Sequence, residues 1–149
     1  MTPAGAIYTW GFNAKDARRT PGFIGVFIIM ARLRIDTVID IRRPASGLAK
    51  GAVDPHAAGA IYAHARAGHR ILLVCSHPDP GKCHRHAEIA LPIAQDAARY
   101  AAARAASSEA LPIATILVRH VLTDGKLVDP LELEAERGAE RPGKRRRQT

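Results

Sequence analysis

Four short runs of hydrophobic and β-branched residues stand out along the chain and predict β-strands. They cover residues 6–11, 37–42, 70–76 and 115–122. The third run is almost continuously apolar, which is typical of a strand covered on both faces. The hydrophobic pattern therefore predicts four strands, separated by longer segments of a different character.

The segments between the strands carry clear helix start signals. Each signal is a capping residue followed by proline: Thr20-Pro21, Asp54-Pro55, Asp79-Pro80 and Asp129-Pro130. The capping oxygen accepts an otherwise unpaired backbone N–H, and the missing N–H of proline costs nothing at the first helical position. Gly68 and Gly138 are predicted to end helices. Pro92 lies inside the long segment 80–106, where it should kink or divide the helix.

Alternating strands and helices predict an α/β fold, with a small open, mainly parallel sheet and helices on both faces. The turn Asp124-Gly125 before Leu127-Val128 predicts a C-terminal β-hairpin. A chain of 149 residues fits one domain. We expect a single α/β domain over residues 1–137 and a basic, disordered tail over residues 138–149.

Composition narrows the functional classes. The longest uncharged apolar stretch, residues 23–31, is much shorter than the roughly 18–20 residues of a membrane span. The first residues have no signal-peptide pattern, so we expect a cytoplasmic protein without a membrane partner. The two cysteines should then be mostly reduced, and they are too few for a disulfide scaffold.

The net charge of +8 and the pI near 10.2 suit an anionic small molecule or nucleic acid as partner. Part of the charge is the run 144–147, which is typical of a solvated chain end and also of non-specific contact with phosphates. The helix over about residues 21–34 is apolar nearly all round. It is therefore either core or the interface of a homodimer.

Candidate chemistry follows the first three strands. Ligands of open α/β sheets bind at the carboxyl ends of the strands, where the connecting loops meet. The candidate catalytic residues in these loops are Cys83, His84, Cys75 and His77. The candidate substrate-binding residues are Arg42, Arg85, Asp40, Ser46 and Gly11. One edge of the sheet is therefore expected to hold thiols, imidazoles, a carboxylate and guanidiniums together.

Cys83 is the leading candidate nucleophile. The helix that begins at Pro80 should place it in or beside the first turn, where the helix dipole and nearby cations lower a thiol pKa. Alternatively, Cys83 is a small buried residue of the core with no chemical role. Cys75 ends a core strand and is more typical of a structural residue, while its functional interpretation is a resolving thiol or a ligand.

Two further interpretations of the cysteine pair remain open. Zinc could be bound by Cys75 and Cys83 together with His77, His84 or His86, although the cysteine spacing exceeds the usual one. The pair could also form a reversible disulfide if the two α-carbons lie close enough.

The charged residues also allow two interpretations. Asp40 and Arg42 share one face of the second strand, where a structural ion pair is expected. Alternatively, Arg42 and Arg85 bind a phosphate or carboxylate, with Ser46 as a neighbouring donor. His120 on the fourth strand is more typical of a satisfied histidine in a sheet than of a general base. No Walker or dinucleotide-binding pattern occurs, so a nucleotide cofactor is not indicated.

Several of these residues resemble the family called domain of unknown function 488. The resemblance is carried by residues 7–11, by Asp40-Ile41-Arg42 with Pro44 and Ser46, by Leu72-Leu73-Val74-Cys75, by Asp79-Pro80, by Cys83-His84-Arg85 and by residues 118–125. It implies an α/β fold and a Cys-His-Arg site, but no settled activity.

The leading hypothesis is a thiol-dependent enzyme that acts on an anionic substrate, such as a nucleotide or a nucleic acid base. Cys83 would be the nucleophile, Arg42 and Arg85 would bind the anion, and His84 or His77 would move protons. The alternatives are a non-catalytic basic module that binds nucleic acid and a zinc-dependent site.

Overall fold

The computed structural model describes residues 5–11, 21–41, 55–105 and 116–140. The strands are β1 (Ala6–Gly11), β2 (Thr37–Asp40), β3 (Arg70–Cys75), β4 (Leu117–Val121) and β5 (Leu127–Val128). The α-helices are α1 (Pro21–Leu33), α2 (Pro55–Arg66), α3 (Leu91–Ala105) and α4 (Pro130–Ala139). Between β3 and α3 lie a 3-10 turn, Pro80–Lys82, and a π-helix, Arg85–Ala90.

The strands form one sheet in the order β2-β3-β1-β4-β5. The first four strands are parallel and β5 pairs antiparallel with β4. Gly125, in the turn before β5, has a φ of 82°, which glycine adopts without strain. The α/β fold, the mainly parallel sheet and the C-terminal hairpin are therefore confirmed.

Alternation along β1 divides the core into two layers, because successive side chains point to opposite faces of a sheet. Ile7 packs with Ile71 and Leu73 against residues of α2, the π-helix and α3. Tyr8 and Trp10 pack on the other face, where α1 contributes three partly buried side chains, Ile29, Met30 and Leu33. Helices thus cover both faces, as predicted.

Proline marks the first residue of α1, α2, α4 and the 3-10 turn, as the sequence predicts. The helix predicted over 80–106 is divided near Pro92, as the sequence predicts, but the part before Pro92 is a 3-10 turn and a π-helix and not an α-helix. Before α3, the N–H of Leu91 donates to the carbonyl of His86, five residues back. Pro92 lacks an N–H, and its ring would clash with the carbonyl four residues earlier in a regular α-helix. The wider π-turn removes that conflict.

Other boundaries differ at the ends of elements. Gly68 has the positive φ of 101° predicted after α2, but Gly138 does not end a helix, since α4 continues to Ala139. The structure ends β2 at Asp40 and β3 at Cys75, each before the last residue of the predicted strand.

Several predictions fall outside the described residues: those for the caps Thr20 and Asp54, for Arg42, Ser46 and residues 141–149. In the described part of α1, Phe27 and Ile28 are exposed at 65% and 59%. None of the described helices is long and apolar enough to cross a membrane.

Candidate functional site

The two cysteines meet at the carboxyl edge of the sheet. Cys75 is the last residue of β3. A loop that contains His77 and Pro78 leads from it to the 3-10 turn, and Cys83 directly follows that turn. Their Sγ atoms lie 3.2 Å apart, both residues are buried, and both thiols are free. The contact is local, because the loop after β3 returns to the end of that strand within eight residues.

His84 is oriented by the backbone and faces both thiols. Its Nε2 lies 3.0 Å from the carbonyl oxygen of Ile41, which can only accept, so Nε2 carries the proton. The amide of Ile41 is itself bonded to the carbonyl of Val74 on β3. In the neutral ring, the lone pair of Nδ1 is thus directed at Cys75 and Cys83, whose Sγ atoms are 3.9 and 3.7 Å away.

Cys75, Cys83 and His84 form a group that could hold a metal ion, because their ligand atoms all lie within 4.8 Å of one another. Nitrogen and sulfur donors are the set that zinc prefers. His77 was among the predicted zinc ligands but lies outside this group. Its Nδ1 instead accepts the backbone N–H of Asp79, so the loop hydrogen bond fixes its ring.

The negative charge of the thiol pair falls on Cys75, whereas the sequence analysis expects it on Cys83. The S–H of Cys83 donates to Cys75, and the backbone N–H of His77 and the imidazole of His84 act in the same direction, so the pKa of Cys75 is lowered to about 5. The same proton donation and burial raise the pKa of Cys83. Of the two thiols, Cys75 therefore loses its proton first, and Cys83 retains its own.

The backbone explains part of this difference. The sequence analysis places Cys83 in or beside the first turn of an α-helix. In the structure Cys83 instead has extended dihedral angles and lies between the 3-10 turn and the π-helix. Asp79 does cap the 3-10 turn, by accepting the N–H of Gly81 at 2.9 Å. The carbonyl of Cys83 accepts the N–H of His86, which starts the next helical segment.

Arg85 lies beneath the site and does not line the pocket. It is fully buried; its Nη1 donates to the carbonyl of His77 and its Nη2 to that of Pro78 at 3.0 Å. Among the described residues, its Nε finds no hydrogen-bond partner. Burial lowers the pKa of Arg85, and the charges of Cys83 and Cys75 oppose that change. The predicted anion-binding side chain instead holds the loop and serves the thiols as a cation.

Gly11 has a steric role at this edge. It pairs in register with Cys75, and a Cβ on Gly11 would overlap the His77 carbonyl oxygen and the Arg85 guanidinium. The loop can therefore pass directly over the end of β1 only because residue 11 has no side chain.

An open pocket of about 580 Å³ leads to the thiols. Its lining includes both cysteines, His77, His84, Glu88, Lys82 and Arg137. Lys82 and Arg137 supply positive charge at the pocket, and neither was predicted as a site residue. Of the described binding candidates, Asp40 and Gly11 do not line the pocket. Asp40 is exposed at the end of β2. The structure thus brings the four predicted catalytic residues together at the pocket, but not the described binding candidates; Arg42 and Ser46 lie outside the described residues.

A buried polar chain beside the site was also missed. Thr9 Oγ1 lies 2.6 Å from His120 Nδ1, His120 Nε2 lies 2.9 Å from His86 Nδ1, and His86 Nε2 lies 3.0 Å from a carboxylate oxygen of Glu134. The carboxylate only accepts, so with both rings neutral every proton points from Thr9 toward Glu134. His120 is the satisfied histidine that the sequence analysis expects, and the four residues of the chain come from β1, β4, the π-helix and α4.

No protein-family model, curated protein or solved structure matches this chain. The resemblance to domain of unknown function 488 therefore stays a prediction that depends on the quoted residues alone. What the site does has to be argued from its geometry.

Proposed function

We propose that this protein is a thiol-dependent enzyme whose reaction centre is Cys75, Cys83 and His84, and whose substrate is anionic. The observation that carries the proposal is the contact of two free thiols, 3.2 Å apart, with an oriented imidazole nitrogen facing both. A nucleophile next to a positioned base is the usual arrangement for covalent catalysis. The pocket gives this centre access to a small molecule.

Each side chain has a distinct role in this proposal. Cys75 is the nucleophile, because it accepts the S–H of Cys83 and therefore carries the charge. His84 exchanges protons through Nδ1, since its Nε2 is committed to the Ile41 carbonyl. Arg85 keeps a positive charge beneath the pair.

Support for an anionic substrate comes from the pocket and from the whole chain. The side chains of Lys82 and Arg137 lie at the pocket and are 75% and 37% exposed. Each already forms a loose ion pair, Lys82 with Asp79 at 3.8 Å and Arg137 with Glu134 at 3.5 Å, which an anionic ligand would have to share. The net charge of +8 favours anions in general. A nucleotide is the class of anionic substrate that we infer from this charge.

Alkylation by two reagents of similar size tests the proposal. Iodoacetate is an anion and iodoacetamide is neutral, and both react with thiolates. We expect Cys75 to react at pH 7 faster than a free cysteine and to prefer iodoacetate, with the site read by peptide mass spectrometry. Lys82→Met should slow the iodoacetate reaction about threefold, the scale of an exposed ion pair, and leave the iodoacetamide reaction unchanged.

Lys126→Met is the matched control, since the Lys126 side chain is 78% exposed in the turn before β5 and does not line the pocket. Cys75→Ser should abolish the fast reaction. Equal rates for the two reagents, both at the level of a free cysteine, would contradict the proposal.

Zinc binding is a second candidate function, and the orientation of His84 favours it. Metal-bound histidines usually donate their second ring nitrogen to a carbonyl or carboxylate, as His84 does to Ile41. Two thiolates and one imidazole would leave a fourth position open, and zinc in such a site supplies an activated water.

Elemental analysis of the purified protein tests this candidate. One zinc per chain, lost in both Cys75→Ser and His84→Ala, is the expected result. His77→Ala should keep the metal, because His77 lies outside the group. Protein purified without added chelator that contains less than a tenth of an equivalent would rule zinc out as a resident ion.

A further inference from the structure

We propose that the Cys75–Cys83 pair is a site of reversible oxidation, at which hydrogen peroxide closes the two thiols into a disulfide and switches the centre off. The regulatory half of this inference rests on the proposed thiol chemistry. The oxidation itself rests only on the contact between the sulfurs, their access from the pocket and the backbone around them.

The sulfurs are already close to bonding distance. They lie 3.2 Å apart, and an S–S bond needs about 2.05 Å, so closure requires a relative movement of only about 1 Å. Cys75 pairs with Gly11 of β1, and Val74 before it pairs with Asp40 of β2, so the end of β3 is held in the sheet. Cys83 lies in a short extended link between two helical turns. The movement can therefore be made by Cys83 without breaking the sheet.

The pocket admits a small oxidant. Cys75 and Cys83 are 3% and 7% exposed, and both line the pocket. Such limited exposure suits hydrogen peroxide better than a bulky disulfide, because peroxide needs little more room than water. Access from solvent and a second thiol in contact are features shared by redox-sensitive cysteines, and the Cys75–Cys83 pair has both.

The reaction balances in two steps. The Cys75 thiolate attacks one peroxide oxygen and the O–O bond breaks, which leaves a sulfenic acid on Cys75. The leaving hydroxide becomes water by taking a proton from solvent, to which the Cys75 thiol released its own proton on ionising. Cys83 then gives its proton to His84 Nδ1 and attacks the Cys75 sulfur. The S–O bond breaks, and the departing hydroxide takes the proton from His84. The two sulfurs lose two electrons, and one peroxide becomes two molecules of water.

Closure has a clear consequence for the centre. The disulfide removes the nucleophile, its S–H donor and both sulfur ligands at once, and a reductant restores all of them. Without the partner thiol, the sulfenic acid would persist and oxidise further to forms that a reductant does not recover. Cys83 thus also protects Cys75.

Peroxide titration of the full-length, reduced protein tests the inference. After one equivalent, we expect the intact mass to fall by two hydrogens, both cysteines to resist N-ethylmaleimide, and dithiothreitol to restore both. Cys83→Ser should instead accumulate a dimedone-reactive sulfenic acid at Cys75, and Cys75→Ser should leave Cys83 unmodified. Circular dichroism establishes that both variants are folded, and a Ser76→Ala variant should behave as the wild type.

Two results would overturn the inference. One is wild-type protein in which both thiols still react with N-ethylmaleimide after peroxide. The other is sulfenic or sulfinic acid on the wild type without a Cys75–Cys83 link. If Cys75 still reacts rapidly with iodoacetate in that protein, the proposed function stands and only the switch fails. If the disulfide forms but iodoacetate reacts slowly, the switch is supported and the nucleophile is not.

Discussion

Arg85 is a fully buried cation beneath the two thiols. Its position directly after Cys83-His84 marks it as part of the site, but no sequence pattern indicates that the side chain turns inward. The guanidinium is fully buried and donates to two carbonyls of the loop over the thiols. A buried cation needs compensating negative charge, and the thiol pair provides it.

Two substitutions at Arg85 separate its charge from its shape. Arg85→Lys keeps the charge but loses the planar fork that reaches both carbonyls, whereas Arg85→Gln loses the charge as well. We expect both variants to be less stable, and Arg85→Gln to raise the pH midpoint of Cys75 alkylation by about one unit, because a nearby cation favours the thiolate, with Arg85→Lys between it and the wild type. Urea unfolding and iodoacetamide kinetics measure the two effects.

Arg99→Gln provides the comparison, since the Arg99 side chain is 77% exposed and forms only a surface ion pair with Asp96. It should leave stability within about 0.5 kcal/mol of the wild type. Unchanged alkylation in Arg85→Gln would show that the cation does not act on the thiols.

His120 gives the protein a specific sensitivity to acid. Burial, together with the charges of His86 and Arg85, lowers the pKa of His120 to about 3, below the ordinary value of 6.5. Between these two pH values His120 is protonated in the unfolded chain but not in the folded protein. Its contribution to the free energy of unfolding is therefore fully present above pH 6.5 and is lost as the pH falls toward 3. The loss is at most about 1.4 kcal/mol per pH unit.

Unfolding by urea at pH 7, 6, 5 and 4 measures this slope. His120→Gln retains an N–H donor toward His86 and does not titrate, so it should be less stable at pH 7 but lose less stability on acidification. Parallel slopes for the wild type and His120→Gln would show that another group causes the acid sensitivity.

Among the elements, the helix starts are predictable and the helix type is not. An N-cap and proline are local signals, which is why the starts at Pro80 and Pro130 are visible in the sequence. The π-helix Arg85–Ala90 depends on Pro92 and on burial of neighbouring residues on the same side. Its wider turn turns Arg85 and His86 inward together, a placement that a regular helical pattern does not indicate.

The contact between the end of β1 and the loop after β3 gives a test at this scale. Gly11→Ala places a methyl group against the His77 carbonyl and Arg85, so we expect a loss of about 1–3 kcal/mol in the free energy of unfolding and slower alkylation of Cys75. Gly59→Ala is the matched control in α2, where a Cβ meets nothing within 4 Å. It should stabilise the protein by about 0.5–1 kcal/mol.

At the scale of the whole molecule, the parallel sheet could be predicted and the pocket wall could not. Strands that alternate with helices run parallel when they are neighbours, and this alone brings the ends of β1 and β3 together. Glu134 and Arg137 reach the site because α4 returns from β5 to pack beside the π-helix. Nothing local to residues 133–137 signals that contact, and the sequence analysis counts 137 as the end of the domain.

The net charge of +8 leads to a prediction about salt. The field of a basic protein raises the local concentration of anions, and added salt screens it, since the Debye length falls from about 30 Å at 0.01 M to 3 Å at 1 M. The alkylation rate with iodoacetate should therefore fall several-fold over this range, while the rate with neutral iodoacetamide stays nearly constant. Stopped reactions at fixed pH, read by mass spectrometry at Cys75, measure both rates.

Because Lys82 and Arg137 lie at the pocket itself, the double variant Lys82→Met, Arg137→Met should lose most of the salt dependence, whereas Lys126→Met should keep it. If the double variant and Lys126→Met show the same salt dependence, the effect comes from the overall charge and not from the pocket.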